Sequence, residues 1–400
     1  MTALCLNCDI STSVDILDSL DYDCSNVLKG FKTNRTKDWD CGGIIETRLR
    51  DSEAKCQTLN QAFLFRKEPL SEEEKNFPLA YGMLVYQNLP QVLFMLSSIY
   101  HPQNEYCIAV GENSNSQFLL LLEELATCFP NVYFMRRPPI KWGSFEIINS
   151  VYECLRYLSK LGSDWKYFQY LSGVDVPLKT NLEMVKIFKA MNGSPNVEAA
   201  TYQEERLIGQ DINQSPLPLF KSSLSALIPR EAANQLTSSN IPRRLLDFLS
   251  KTEIADESFW GTLFGNVDKF NISGSMDFQK WLLHKKNGLN KSMTESPLSY
   301  YISRDQIWYE NQCHGIFRTY SCVYGVGDVP RLLKSRALIA HKFHLDFEPA
   351  AYFCLLKEHR RRTLSPDANF NVTSYSELPQ VEMFKGVPIS EITHQNWLHM

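Results

Sequence analysis

The feature that most constrains the fold is a regular alternation of strand-like and helix-like segments that begins near residue 77. Strand-like apolar runs alternate with longer apolar stretches of helical character. In chain order these segments are LAYGMLVYQ, LPQVLFMLSSIY, YCIAVGE, SQFLLLLEELATCF and NVYFMRR. Alternation of this kind predicts an α/β fold, in which helices flank a central sheet.

The next segments predict a ligand site at the edge of that sheet. A long amphipathic helix is expected from about residue 145 to 161, and WKYFQYLSGVDVPL then predicts a buried strand that enters a turn. In open α/β sheets, ligands bind beyond the carboxyl ends of the strands. Ser172, Gly173 and Asp175 lie at such an end, so we expect them to contact a cofactor or substrate. Ordinary turn chemistry explains Gly173 equally well.

The run ADESFWGT supplies a candidate catalytic base. Asp256 is predicted to be the N-cap of a helix, and Glu257 falls in its first turn, where the peptide dipoles favour an ionised carboxylate. Such a group is suited to accepting a proton. The alternative from this segment alone is an ordinary capping acid.

Composition narrows the class of protein. With 44% hydrophobic and 22% charged residues among 400, the chain is expected to be globular. The net charge of −4 gives no overall basic field, so nucleic acid is not an expected partner. The apolar stretches are shorter than the ~20 residues of a membrane helix. The N-terminus MTALCLNCDISTSVDILDS is acidic and has no signal-peptide apolar core.

Three regions are predicted along the chain. Residues 1–75 are polar, show little periodicity and end in LSEEEK, so we expect a partly irregular stem. Residues 76–357 form the main domain. Residues 358–400 are expected to be a loosely ordered C-terminal extension.

The eleven cysteines are widely spaced, which favours disulfides over a zinc site. Asn-x-Ser/Thr triplets are compatible with a glycosylated lumenal protein. They occur at Asn34, Asn192, Asn213, Asn271, Asn290 and Asn371.

Several motifs in one order resemble the core 2 and I-branching β-1,6-N-acetylglucosaminyltransferases, over about residues 24 to 357. The motifs are AYGMLVYQ, IYHPQNEYCIAV, KWGSFEIINSVYECL, WKYFQYLSGVDVPLKTNLEMV, DESFWGT, CHGIFRTYSCVYGVGDVPRLL and AHKF. The resemblance implies a GT-A type α/β fold that transfers GlcNAc from UDP-GlcNAc to the 6-hydroxyl of galactose or N-acetylgalactosamine. It also implies inversion at the anomeric carbon, no metal ion and a place in the Golgi lumen.

The resemblance assigns the diphosphate of the donor to two cations. Lys342 of AHKF matches the family's diphosphate-binding lysine. Arg318 lies one residue before the position of the family's arginine, which Thr319 occupies, so it can serve only if the backbone bulges or the alignment carries a gap. Metal-dependent relatives place an Asp-x-Asp pair near the donor, after this strand. In this chain the segment after LSG contains only one aspartate, Asp175.

On the nucleotide side, Trp142 and Gly143 match the family's WGS run, and a glycine lets the backbone approach the ligand closely. Tyr86 follows the first strand, near where relatives hold uracil. Gly111 departs from the family, which has a nucleoside-contacting aspartate in this segment, and Glu112 is the nearest substitute.

The resemblance also assigns the base and the acceptor site. Glu257 aligns with the catalytic glutamate, which accepts the proton of the attacking hydroxyl. Glu198 and Arg206 align with acceptor-binding residues. Gln203 stands where the core 2 branch has a lysine, and Trp308 is a candidate sugar platform. A Trp in an aromatic-rich segment is also a common core residue.

Four disulfides are implied by the same resemblance, and they leave three cysteines in the stem. The implied pairs are Cys24 with Cys354, Cys56 with Cys128, Cys107 with Cys154, and Cys313 with Cys322. Cys5, Cys8 and Cys41 remain, so a disulfide-linked homodimer is a hypothesis.

Family members are type II membrane proteins, and this sequence shows no anchor. We therefore expect the protein on the lumenal side of the Golgi membrane, with a chain that is incomplete at its N-terminus.

Two functional alternatives stay open. The departures at Gly111 and Thr319 allow a non-catalytic glycan-binding relative. A transferase that uses another donor, such as UDP-xylose, is the other alternative.

Overall fold

The computed structural model describes residues 15–288 and 300–392, and in these ranges helices surround a central sheet. The strands are Leu79–Val85 (β1), Glu105–Gly111 (β2), Val132–Arg137 (β3), Tyr167–Ser172 (β4), Asp175–Pro177 (β5), Ala200–Thr201 (β6), Phe220–Lys221 (β7), Leu227–Pro229 (β8), Ile316–Arg318 (β9), Ser321–Val323 (β10) and Ile339–His341 (β11). The α-helices are Ile16–Ser19 (α1), Cys24–Val27 (α2), Gly42–Asp51 (α3), Lys55–Phe63 (α4), Glu72–Lys75 (α5), Leu89–Ile99 (α6), Ser116–Ala126 (α7), Phe145–Lys160 (α8), Asn181–Met191 (α9), Arg230–Ser238 (α10), Ile241–Leu249 (α11), Phe259–Phe264 (α12), Phe278–Gly288 (α13), Val329–Lys334 (α14), Pro349–Leu364 (α15), Thr373–Ser376 (α16) and Pro379–Phe384 (α17).

The central sheet has the strand order β3-β2-β1-β4-β8. The first four strands are parallel, and β8 pairs antiparallel with β4. β1 reads as an almost continuous apolar run because both faces of a central parallel strand are covered. The predicted α/β architecture is therefore confirmed.

Helices α6, α7 and α8 connect the successive parallel strands. The expected helix at about 145–161 is α8, whose buried side chains recur on one face. Its N-cap is Ser144, so the helix begins directly after the Trp142–Gly143 turn. The fold thus places that turn beyond the carboxyl end of β3, at the ligand-binding edge of the sheet.

Residues 15–75 differ from the polar, partly irregular stem that we expected, because they contribute to the common core. They form α1 to α5, and Ile16, Val27, Leu49 and Phe63 from this region are almost completely buried in the common core. Each short helix contributes only a few apolar residues, so no long periodic signal was present in the sequence.

The C-terminal region also packs more tightly than expected. α15 continues to Leu364, past the predicted boundary at 357, and Gln380 is buried against the body of the molecule. The Gln380 side chain accepts a hydrogen bond from Val197 N (3.0 Å) and donates one to Val197 O (2.5 Å). Described residues up to 392 are therefore not loosely ordered.

None of the helices in residues 15–288 and 300–392 is long and apolar enough to cross a membrane. All four implied disulfides are present. Cys41, which we expected to be available for an intermolecular bond, is itself disulfide-bonded, and that part of the dimer hypothesis is wrong. Cys5, Cys8 and the Asn290 triplet lie outside the described residues.

The Cys24–Cys354 bridge spans 330 residues of sequence and joins α2 to α15. Replacing both cysteines by serine should lower the free energy of unfolding by roughly 4–5 kcal/mol, because the unfolded chain loses its longest constraint. The matched control is the Cys313–Cys322 pair, with a separation of only 9 residues. Its removal should cost roughly 2–3 kcal/mol in the same denaturant titration. Equal losses would contradict the loop-length argument.

Candidate active site

Glu257 closes a short 3₁₀ helix, Ala255–Glu257, directly before α12. The chain enters this turn through Ile254 in the left-handed region (φ +49°), and α12 begins only at Phe259. The N-cap of α12 is Ser258, with no side-chain cap, so the predicted capping role of Asp256 is wrong. The extra turn holds Glu257 outside the regular helix.

Two cations from different elements surround the Glu257 carboxylate. Arg206 Nη2, on the 3₁₀ helix Glu204–Leu207, donates to Glu257 Oε2 at 2.7 Å, and Lys221 Nζ on β7 lies 3.6 Å away. The Glu257 side chain is 19% exposed, so it reaches the surface. Two positive charges therefore face this carboxylate. Sequence reasoning missed Lys221, since no motif connects it with Glu257.

The carboxyl group of Asp256 has a raised pKa at this site. Burial and then the neighbouring charge of Glu257 raise the pKa of Asp256 to about 7, against the opposing effect of Arg206 and Arg304. Its Oδ1 atom is buried and has no hydrogen-bond partner among the described residues. Asp256 is therefore a partly buried, titratable neighbour of the candidate base, with one carboxyl oxygen sealed from solvent.

Two of the four predicted acceptor residues, Glu198 and Arg206, lie near Glu257, and Gln203 directly precedes the 3₁₀ helix that carries Arg206. Burial raises the pKa of Glu198, and the charges of Lys221 and Glu257 also act on it, so Glu198 lies near both groups. Gln203 Oε1 and Arg206 Nη1 are buried without a hydrogen-bond partner within the described ranges. Trp308 is exposed and lies beside the hairpin formed by β9 and β10. This position follows from the hydrogen bond that Cys322 N on β10 donates to the carbonyl oxygen of Ile307, the residue before Trp308.

The two predicted cations of the diphosphate site lie together. Lys342 Nζ donates to Arg318 O at 2.8 Å, and the Arg318 guanidinium pairs with both carboxylate oxygens of Asp346. β9 and β10 pair regularly, with Arg318 opposite Ser321, and Thr319 occupies the turn between them (φ +48°). A two-residue turn of left-handed residues joins the strands, and no bulge is present at Arg318. The assignment of Arg318 to the diphosphate therefore depends on a gap in the alignment.

Trp142 and Gly143 connect the hairpin with the base. Trp142 is 65% exposed, and its ring lies 5.6 Å from that of Tyr320 at the hairpin tip. Gly143 has φ +72°, which disfavours other residues, and a Cβ there would lie 3.8 Å from Ile254, next to the 3₁₀ helix. Tyr86, at the end of β1, is exposed as well.

Asp175 differs from its predicted role as a donor contact, because it is completely buried. Its oxygens accept hydrogen bonds from Ser172 N (2.7 Å) and Ser172 Oγ (2.9 Å), and they pair with Arg304 Nη2 (3.3 Å) and His341 Nδ1 (2.7 Å). Burial acts to raise the pKa of Asp175, but Arg304 and His341 outweigh it and bring the pKa to about 2. Asp175 thus holds β11, whose next residue is Lys342.

Within the described ranges one group of potential metal ligands occurs, formed by Cys313, Cys322 and Asp328. The two sulfur atoms are bonded to each other, which removes them as ligands.

Comparison with known proteins shows that this chain is a sugar-transferring enzyme. Residues 79–299, more than half of the chain, match the family model described as Core-2/I-Branching enzyme. The chain therefore belongs to the Core-2/I-Branching enzyme family, and it is an enzyme of the hexosyltransferase class.

Curated relatives cover most of the chain. The human "beta-1,3-galactosyl-O-glycosyl-glycoprotein beta-1,6-N-acetylglucosaminyltransferase" is 28% identical over 74% of this chain and 73% of its own length. A sheep enzyme with the same name and the number 3 is 26% identical over 90% of this chain and 92% of its own length. Mouse "N-acetyllactosaminide beta-1,6-N-acetylglucosaminyl-transferase" is 28% identical over 74% and 76%. Among solved structures, mouse xyloside xylosyltransferase 1 aligns with a TM-score of 0.26 at 13% identity, over 46% of this chain and 82% of that chain.

Proposed function

We propose that this enzyme transfers GlcNAc from UDP-GlcNAc to the 6-hydroxyl of a galactose or N-acetylgalactosamine residue on an O-linked glycan, with inversion and without a metal ion. The observation that carries the proposal is the pairing of Glu257 with Arg206 and Lys221. A second group of cations, Lys342 and Arg318, lies on the other side of the Trp142–Gly143 turn. The names of the relatives support β-1,6 transfer of GlcNAc.

The proposed reaction is a single displacement. The acceptor hydroxyl attacks the anomeric carbon from the face opposite UDP, its proton passes to the Glu257 carboxylate, and the bond between the sugar and UDP breaks. The electron pair of that bond stays on the diphosphate, where Lys342 and Arg318 stabilise the growing negative charge. Trp142 and Gly143 lie between the two groups and are suited to contacting the donor.

The acceptor is proposed to bind against Glu198, Gln203 and Arg206. The buried polar atoms of Gln203 and Arg206 that have no partner among the described residues offer hydrogen bonds that fix sugar hydroxyls. Trp308 lies on the hairpin side, so we assign it to neither sugar. The four disulfides support an oxidising compartment, for which we propose the Golgi lumen.

The test is transfer from UDP-GlcNAc to Galβ1,3GalNAc, corrected for donor hydrolysis, by the full chain made in a secretory pathway. We expect transfer in the presence of EDTA, and a product cleavable as a β-1,6 linkage. UDP-xylose as donor and UDP affinity by calorimetry are run in parallel. Transfer abolished by EDTA would contradict the metal-free mechanism, while neither transfer nor UDP binding would favour a glycan-binding relative.

A further inference from the structure

The proposed base has a partly buried neighbour with no role in the displacement. Asp256 precedes Glu257 on the same 3₁₀ turn, and its Oδ1 atom is sealed from solvent without a hydrogen-bond partner in the part of the chain that the structure describes. A buried carboxylate without a partner is costly when ionised, so a neutral form is favoured at low pH. Asp256 is not a helix cap, and a capping function does not account for its burial.

The charges around Asp256 come from four separate elements. On its own turn lies Glu257, and Arg206 approaches from the 3₁₀ helix Glu204–Leu207. Arg304 comes from the segment before β9, and Tyr170 on β4 interacts with both Arg304 and Asp256. Arg304 Nε is also buried without a hydrogen-bond partner in the described ranges.

The helices that pack against the Ala255–Glu257 turn leave Glu257, Arg206 and Arg304 as the main charges around Asp256. α12 contains no titratable side chain. On α8, Glu146 is paired with Arg137, and Tyr152 donates its hydroxyl to Leu236 O at 3.1 Å. The protonation state of Asp256 therefore bears mainly on Glu257 and the two arginines.

Two positive charges face the carboxylate that is proposed to accept the proton, since Arg206 Nη2 lies at 2.7 Å and Lys221 Nζ at 3.6 Å from Glu257 Oε2. An ionised Asp256 on the same turn adds a negative charge that opposes these cations. We propose that Asp256 is a positioning residue that strengthens Glu257 as a base when it ionises, so that the two carboxyl groups together set the pH dependence of transfer.

This inference rests on the proposed function and adds a pH signature to it. Burial and the charge of Glu257 raise the pKa of Asp256 to about 7, so it is neutral at pH 5.5 and ionised at pH 8.5. The wild-type kcat should therefore rise between these values. Asp256→Asn keeps the size and the neutral charge of the protonated acid, and it should equal wild type at pH 5.5.

The experiment measures kcat and KM of wild type and Asp256→Asn from pH 5.5 to 8.5, with donor and acceptor saturating. At pH 8.5 we expect the kcat of Asp256→Asn to be roughly three- to tenfold below wild type, with little change in KM. Glu253→Gln, which removes an exposed charge three residues away, is the matched control and should follow wild type throughout.

Two results would overturn the inference. One is a rise of kcat in Asp256→Asn equal to that of wild type, and the other is a loss of the same size at every pH, which indicates only a structural role. If Asp256→Asn does not fold, Asp256→Ser is measured, and a wild-type kcat that stays flat from pH 5.5 to 8.5 also overturns it. Absence of any transfer by wild type contradicts the proposed function itself.

Discussion

Replacing Glu257 by glutamine is expected to lower turnover by roughly 10²- to 10⁴-fold, because the amide cannot accept the proton of the attacking hydroxyl. The size of the side chain is kept, and Lys342, the proposed diphosphate-binding lysine, contacts the Arg318 backbone and not Glu257. Binding of UDP should therefore stay within about twofold of wild type. Single-turnover transfer and calorimetry with UDP measure the two quantities.

Glu253→Gln serves as the control for Glu257→Gln, since Glu253 is exposed and precedes the 3₁₀ helix. It should retain wild-type turnover. Glu257 pairs with Arg206, so a thermal denaturation curve of each variant is needed to separate a catalytic loss from unfolding. Turnover of Glu257→Gln within a factor of about ten of wild type would exclude Glu257 as the base.

Replacing Lys342 by alanine should weaken UDP binding by roughly 10- to 100-fold, the typical effect of losing a charge-assisted contact to phosphate. Lys342 is buried to 8% exposure, and its ammonium group already faces the backbone of the hairpin that carries Arg318. Lys334→Ala, which removes an exposed lysine from α14, is the matched control and should bind UDP like wild type. Equal affinities of the two variants would refute the diphosphate assignment.

The affinity for UDP should also depend on pH. Burial and then the positive charge of Arg318 lower the pKa of Lys342 to about 8. Below that value the lysine is charged and attracts the diphosphate, and above it the charge is lost, so affinity should fall as pH rises from 7 to 9. Lys342→Arg keeps its charge over this range, and its affinity should not show the fall if the arginine reaches the same position.

The fold was predictable where the sequence carries a local period. Segments such as LAYGMLVYQ and the stretch around Phe145 became β1 and α8, because burial on a sheet or on one helix face forces a regular spacing of apolar residues. The four disulfide pairs followed from the order of the family motifs and are all present. Residues 15–75 were misjudged, since short helices that bury a few side chains leave little periodic signal.

The site was only partly predictable for a similar reason. Glu257, Arg206 and Lys342 were predicted from the family resemblance, and in the structure Arg206 donates a hydrogen bond to Glu257. Lys221 and Arg304 lie near their carboxylate partners only because distant segments fold together. Asp256 looked like a cap because its neighbours are apolar and helical, yet the chain makes a 3₁₀ turn before α12.

The sequence by itself determined the α/β class, the family, the cysteine pairs and the identity of the candidate base. The tertiary structure alone decided which charges meet that base, that Asp175 is buried beneath the site, and that Asp256 titrates beside Glu257. The physical reason is the separation along the chain between the interacting residues. Hydrophobic periodicity and helix caps depend on neighbours within a few residues. Ion pairs and desolvation depend on which distant segments come within a few ångströms of each other.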